Sequence, residues 1–379
     1  MKYIDRLLYN KIPELIKPNK VLIIYGPRRV GKTFILNKFL SEYKYKYLFV
    51  TGDDRVTRRL LENQNLSEIK SFIGNNDLFV IDEAQKVKNI GEILKLIVDQ
   101  IPQIKVIATG SSSFDLSNKV GEPLTGRSIT EVLYPVSQIE LKNQISYLET
   151  VSSLEERLIY GSYPEVITLD TMDSKRSYLI ELTDSYLLKD LMDLENTKSS
   201  NLLIDLLILI AFQIGKEVSL QELGNRLNIS KNTVSRYLFL LEKAFVIINI
   251  RGYSSNLRKE VTQNSRYYFY DNGIRNALIR NFNPISLRGD IGQLWENFLF
   301  IERLKKQEYL NIYSNNYFWR TYDKKEIDLV ESREGKLFGY EFKYSKSTIP
   351  TATSKEWLST YPNSSLNVVT KENYLDFIT

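Results

Sequence analysis

Between Val21 and about Tyr134, short apolar runs at Val21–Tyr25, Tyr47–Val50, Leu78–Ile81 and Lys105–Ala108 alternate with longer amphipathic stretches. Near-continuous apolar runs belong to strands covered on both faces, so the pattern predicts a parallel sheet wrapped by helices. From Ser137 to about Lys198 the spacing turns helical, with a break at Gly161-Ser-Tyr-Pro164, and a helical lid or connector is expected there. Leu220, Leu223, Leu227 and Ile229, followed by Val234, Leu238 and Leu241, are spaced as two short helices joined at Asn228-Ile-Ser230. That is a helix-turn-helix pattern, and the strand-like Phe245–Ile250 after it suggests a wing. Strand formers dominate again from Tyr267 to the end.

Composition narrows what these elements can do. At 379 residues the chain exceeds the size of a single growing core. With 43% hydrophobic and 26% charged residues it reads as an ordinary globular protein. The longest apolar run, Leu202 to Ile214, is broken by Asp205 and too short to span a bilayer, and the first residues lack a signal-peptide core. A cytoplasmic protein with no membrane partner is expected. Cysteine and histidine are both absent, which excludes thiolate zinc sites and cysteine nucleophiles. Any metal must sit on oxygen ligands, favouring magnesium or manganese, and acid–base work falls to carboxylates or lysine. Lys+Arg total 51 against Asp+Glu 46, a surplus that permits nucleic-acid binding without arguing for it.

The decisive motif is Gly26-Pro27-Arg28-Arg29-Val30-Gly31-Lys32-Thr33, which fits G-x-x-x-x-G-K-[ST] between a buried strand and the helical Phe34–Leu40. The glycines let backbone N–H groups curl around phosphate oxygens, and the following helix points its positive end at the same anion. Lys32 is expected to reach the β and γ phosphates of ATP as a catalytic cation, and the Thr33 hydroxyl to bind magnesium. These eight residues, with Phe34, form the expected nucleotide-contacting set. About 50 residues on, Leu78–Ile81 ends in Asp82 and Glu83: Asp82 is placed to hold the magnesium shell, Glu83 to polarise the attacking water. A further strand ends in Thr109-Gly-Ser-Ser-Ser113, where Ser111 is the expected nucleotide sensor, although serines after a strand also simply make turns.

GPRRVGKT, the VIDEAQK strand end, the TGSSS loop and Leu124-Thr-Gly-Arg127 together resemble the AAA-type ATPases of bacteria and archaea that carry a C-terminal region with a restriction-endonuclease-like fold. The resemblance implies that Arg127 touches phosphate or reports nucleotide state; an exposed loop arginine is the alternative. The changes of pattern along the chain, with this resemblance for the first and last parts, give four expected units: a P-loop ATPase domain at 1–135, a helical lid or connector at 136–200, a winged helix-turn-helix at 201–260 and a mixed α/β nuclease-like domain at 261–379. The expected fold class is thus multidomain α/β.

In the third unit Lys231, Asn232, Ser235 and Arg236 would face a major groove if the second helix reads DNA; packing against protein is the other reading. In the fourth, Glu326-Ile-Asp328-Leu-Val330 and Gly339-Tyr-Glu341-Phe-Lys343 flank a Glu334-Gly335 turn, so Asp328, Glu341 and Lys343 can share one face of a hairpin. With Glu296 on an upstream helix they complete the PD-(D/E)xK pattern, in which Asp328 and Glu341 bind magnesium, Lys343 stabilises hydroxide or developing charge, and Glu296 orients a metal water. Three function classes stay open: an ATP-driven machine acting on DNA, with or without cleavage; a nucleotide-dependent switch binding protein; and a DNA-reading regulator with a vestigial ATPase. The first is favoured, with ATP, magnesium, DNA and further copies of the chain as expected partners.

Overall fold

The computed structural model describes residues 4–111, 124–187, 200–254, 265–345, 348 and 350–379. Five strands, β1 (Val21–Tyr25), β2 (Tyr47–Thr51), β3 (Leu78–Asp82), β4 (Lys105–Thr109) and β5 (Ser128–Val132), form a parallel sheet in the order β2-β3-β4-β1-β5. Strand alternation divides their apolar residues between two layers. Leu22, Ile24, Val80 and Ile107 join Leu36 and Phe39 on one side, while Ile23, Phe79, Ile81 and Val106 join Ile93 and Ile97 on the other. Burial on both faces is why β1 and β3 are apolar throughout or nearly so. The pattern did not predict β5: Ser128-Ile-Thr-Glu-Val132 sits half-buried at the sheet's edge and mixes polar with apolar positions.

Short helices follow from Gln138 to Glu181. Their break at Gly161 has a positive φ of 74°, and a Cβ there would lie 1.9 Å from Asp271 Oδ1, so only glycine fits. The long apolar run forms a helix, Ser200–Phe212, whose Leu203, Leu206, Leu207 and Ile210 enter the same core as Leu22 and Ile24. Among the described residues no helix is long and apolar enough to cross a membrane.

The helices Leu220–Leu227 and Lys231–Lys243 pack beside a small antiparallel sheet of β6 (Glu217–Val218), β7 (Ile247–Arg251) and β8 (Ser265–Phe269), ordered β6-β8-β7. The boundary expected at 260 therefore falls between two paired strands. An apolar run such as Tyr267–Phe269 carries no mark of its pairing partner, and by hydrogen bonding β8 belongs with the unit before it.

The last sheet contains β9 (Asn315–Arg320), β10 (Glu326–Arg333), β11 (Lys336–Phe342) and β12 (Ser364–Val369) in the order β12-β11-β10-β9. Glu334 and Gly335, at φ 50° and 73°, close the β10–β11 hairpin, as positive φ at both loop residues suits the strands' twist. β12 runs parallel to β11 after the Thr351–Thr360 helix. Trp295, Phe298 and Leu299 of the Ile291–Tyr309 helix share a core with Tyr268 of β8 and Tyr340 of β11. The backbone of Tyr253, just past β7, donates to Phe318 of β9 at 2.6 Å.

Candidate functional site

The loop after β1 is shaped by its glycines. Gly26 has φ 144°, and a Cβ there would lie 2.1 Å from the carbonyl oxygen of Leu133; Gly31, at φ 98°, opens the Lys32–Glu42 helix. Arg29 also takes a positive φ, of 64°. The buried Lys32 ammonium is gathered into the loop, its Nζ donating to the carbonyls of Gly26 and Pro27 at 2.7 and 2.8 Å. Beside it the Thr33 hydroxyl donates to Asp82 Oδ2 at 2.7 Å. Asp82 ends β3, and its other oxygen accepts from the Thr109 hydroxyl, which ends β4, and from the Glu83 N–H at 3.1 Å. Two parallel strands and the helix after the loop thus bring a carboxylate and two hydroxyls to one edge. This hard oxygen set suits a magnesium ion, which Thr33 and Asp82 would hold.

A cavity of about 610 Å³ lies over this edge, walled by Arg28 to Ile35 and by Glu83. Its further walls are Ile4 and Arg6 from the N-terminal segment, Asp53 and Lys86, and Pro164, Glu165 and Thr168 from the short helix after the Gly161 break. Arg6 is buried and ties the walls together: it donates to the Val30 carbonyl at 2.7 Å, the Tyr134 carbonyl at 2.5 Å and Glu140 Oε1 at 2.9 Å. Such charge-assisted bonds hold the loop from outside the motif.

A second polar cluster lies where β8, the Ile291–Tyr309 helix and the β10–β11 hairpin meet. Leu329 pairs with Tyr340, so Asp328 and Glu341 face each other across the hairpin on one side of the sheet. Asp328 Oδ2 accepts from the Phe342 N–H at 2.8 Å, and Lys343 Nζ donates to Glu341 Oε1 at 2.7 Å. Glu341 Oε2 is buried with no hydrogen-bond partner. Arg266, on β8, reaches Glu326 at 2.7 Å, Glu296 at 3.7 Å and Asp328 at 3.9 Å, with its guanidinium 4.3 Å from the centre of the Phe318 ring. Tyr268 donates to Glu296 Oε1 at 2.6 Å. Burial raises Glu296 to about 7, and burial followed by the charges of Glu296 and Glu341 lifts Asp328 well above the carboxylate range. The Asp328–Glu341 pair with its unsatisfied oxygen suits a cation. Among the described residues, however, no three acids are grouped so as to hold a metal ion.

On the Lys231–Lys243 helix, Val234, Tyr237, Leu238 and Leu241 are buried, while Lys231, Asn232, Ser235 and Arg236 are exposed.

Three family models match in succession. Residues 18–142 match an AAA domain, and residues 151–284 and 291–376 match two different domains of unknown function. The N-terminal unit has the AAA-type P-loop fold. An uncharacterized protein of Methanocaldococcus jannaschii is 26% identical over 341 residues, covering 84% of this chain and 74% of its own. One from Haemophilus influenzae is 25% identical over 361 residues, covering 88% and 84%. The solved Walker-type ATPase of Pyrococcus abyssi aligns with 73% of this chain and 96% of its own at 17% identity and a TM-score of 0.49.

Within the P-loop domain, Arg28 to Thr33, Phe34 and Glu83 line the cavity. Gly26 and Pro27 hold the ammonium of Lys32 through their carbonyls. Two expected contacts lie elsewhere. Arg127 stands at the N-terminal edge of the sheet, where its carbonyl accepts from the Val21 N–H, and its side chain pairs with Asp99 at 2.5 Å. About 16 Å of strand separates it from Gly26, which corrects the expectation of phosphate contact within this chain. Ser111 is buried and accepts from Gln85 at 3.2 Å, and it is not among the residues lining the cavity; Ser112 and Ser113 lie outside the described residues. From β4, the hydroxyl that meets Asp82 is that of Thr109, the last residue of the strand. Arg6, an isolated arginine ahead of the motif, gave no signal. Nor did Arg266, which stands among Glu296, Glu326 and Asp328 beside the expected quartet of Glu296, Asp328, Glu341 and Lys343.

Proposed function

We propose that this chain binds and hydrolyses ATP in its P-loop domain and acts on or with DNA. The observation that carries the ATP reading is the hydroxyl–carboxylate chain of Thr33, Asp82 and Thr109 directly beneath a glycine-shaped loop that holds Lys32. Lys32 leaves the Gly26 and Pro27 carbonyls to follow the γ-phosphate, stabilising charge on the transferred group. Thr33 and Asp82 would hold a magnesium ion, which would supply neutralisation of phosphate charge. Glu83, on the cavity wall, takes the proton of the attacking water. ATP turnover measured with and without duplex DNA tests the reading. Glu83→Gln is expected to retain nucleotide binding and stall hydrolysis, and unchanged turnover in that variant would overturn the assignment.

DNA contact is supported by the exposed face of Lys231, Asn232, Ser235 and Arg236 on the second of two short helices beside the β6-β8-β7 sheet, which we read as a winged helix. Charge reversal at Lys231 and Arg236 is expected to weaken duplex binding and reduce the salt slope by about 2, one counterion per lost phosphate contact. An unchanged slope would make the unit a protein-packing module. The fourth unit is read as a PD-(D/E)xK domain in which Asp328 and Glu341 hold a metal and Lys343 stabilises the developing charge. Magnesium-dependent nicking that is lost in Asp328→Ala and Lys343→Ala but survives in Lys32→Ala would establish it as separate from the ATPase. Arg266, lodged among the carboxylates, favours a second reading in which the cluster is structural and the chain is a nucleotide-dependent switch. Absence of nicking under all conditions selects that reading.

A further inference from the structure

Glu83 has two carboxylate oxygens, and one of them is engaged. The Ala84–Lys86 turn follows directly, with Glu83 itself at φ 50°. It folds Gln85 back so that Nε2 donates to Glu83 Oε2 at 2.5 Å and to Ser111 Oγ at 3.2 Å. A carboxylate only accepts, so chemistry fixes the amide's orientation: nitrogen toward Glu83, oxygen away. That oxygen, Gln85 Oε1, is buried and has no hydrogen-bond partner. An apolar side chain of the same shape would spare the protein that unpaired oxygen but could bond neither Glu83 nor Ser111. Gln85 does not line the nucleotide cavity, whereas Glu83 does.

We propose that Gln85 is the positioning residue for hydrolysis. By occupying Oε2 it fixes the Glu83 carboxylate and leaves Oε1 as the oxygen that acts on water, and through Ser111 it ties that choice to the loop after β4. The inference rests on the ATP-hydrolysis reading. In the step it serves, the water oxygen bonds to the γ-phosphorus as the bridging oxygen leaves with ADP. One water proton passes to Glu83 Oε1 and from there to phosphate or solvent.

Four proteins test this: wild type, Gln85→Met, Gln85→Glu and Glu83→Gln with Gln85→Met. In Gln85→Met, kcat for ATP is expected to fall about 10- to 100-fold, as for a misplaced catalytic group, with KM within about twofold. Its urea midpoint should stay near wild type, since the substitution also removes a buried unsatisfied oxygen. Gln85→Glu puts two carboxylates side by side, and they share a proton until the pH rises. The ascending limb of its pH–rate profile should therefore move to higher pH, as required if Glu83 is the titrating base and Gln85 lies against it in the working enzyme. The double variant should be no slower than Glu83→Gln alone, because both changes remove one function. Wild-type kcat in Gln85→Met, or an unmoved limb in Gln85→Glu, overturns the inference while leaving ATP hydrolysis intact. A wild type that binds ATP without turning it over overturns the hydrolysis reading and this inference with it.

Discussion

The nucleotide site and the carboxylate cluster solve the problem of buried charge in opposite ways. Around Lys32 the compensating groups are backbone carbonyls of the same loop, at fixed short spacing. Around Arg266 they are side chains from the Ile291–Tyr309 helix and β10, with Glu341 of β11 close by. A backbone cradle persists when a ligand displaces the lysine, so its charge can move without unfolding anything. A side-chain cluster of several acids around one cation has no such reserve, and its order depends on each member being present.

That contrast can be broken most directly at the two cations. Lys32→Ala is expected to lower ATP turnover at least about 100-fold, as for loss of a group stabilising transition-state charge, with the circular-dichroism spectrum and urea midpoint close to wild type. Arg266→Gln should behave oppositely. Loss of the arginine leaves Glu326 without its 2.7 Å partner and Glu296 and Asp328 without a neighbouring cation, so a drop in urea midpoint is expected, read in the same experiment. Should Arg266→Gln be as stable as wild type, the cluster is not held by its arginine and the contrast fails.

A smaller effect sharpens the comparison at Asp271, which lies between the sites. It accepts from the N–H groups of Ser162 at 2.7 Å and Gly273 at 2.8 Å, and burial raises it to about 6 despite those bonds. A carboxyl whose folded value exceeds its unfolded one binds more protons when folded, so its contribution is present below about 4 and is lost as pH rises through about 6. Thermal unfolding from pH 4 to 7 should therefore show a downward component in wild type that is absent from Asp271→Asn. Parallel profiles for the two proteins would rule it out.

What the sequence made legible follows the same division. The P-loop sheet could be read because doubly covered strands are apolar runs, and the loop because its glycines, lysine and threonine are contiguous. Asp328, Glu341 and Lys343 could be related to one another through strand alternation and the Glu334-Gly335 turn. Arg266 could not, because nothing in Ser265-Arg-Tyr-Tyr-Phe269 tells which sheet β8 joins or that its second residue meets a helix and a distant hairpin. Thr109 and Arg6 were missed for related reasons: one was overshadowed by the serines after it, and the other acts through a carbonyl that any residue would supply.

The strand β8 has a consequence for how such a chain can be recombined. Arg266 near its start enters the carboxylate cluster, and Asp271 just past its end holds the Gly161 turn that leads to Pro164 on the nucleotide cavity. Because side chains alternate, deleting one residue between them would turn one of the two to the wrong face while preserving the other. The same segment is therefore committed to both halves of the molecule at once. A chimera spliced at residue 260 would separate β8 from β7, its hydrogen-bonded neighbour; a graft that keeps the small sheet whole must carry everything from β6 through β8 as one piece.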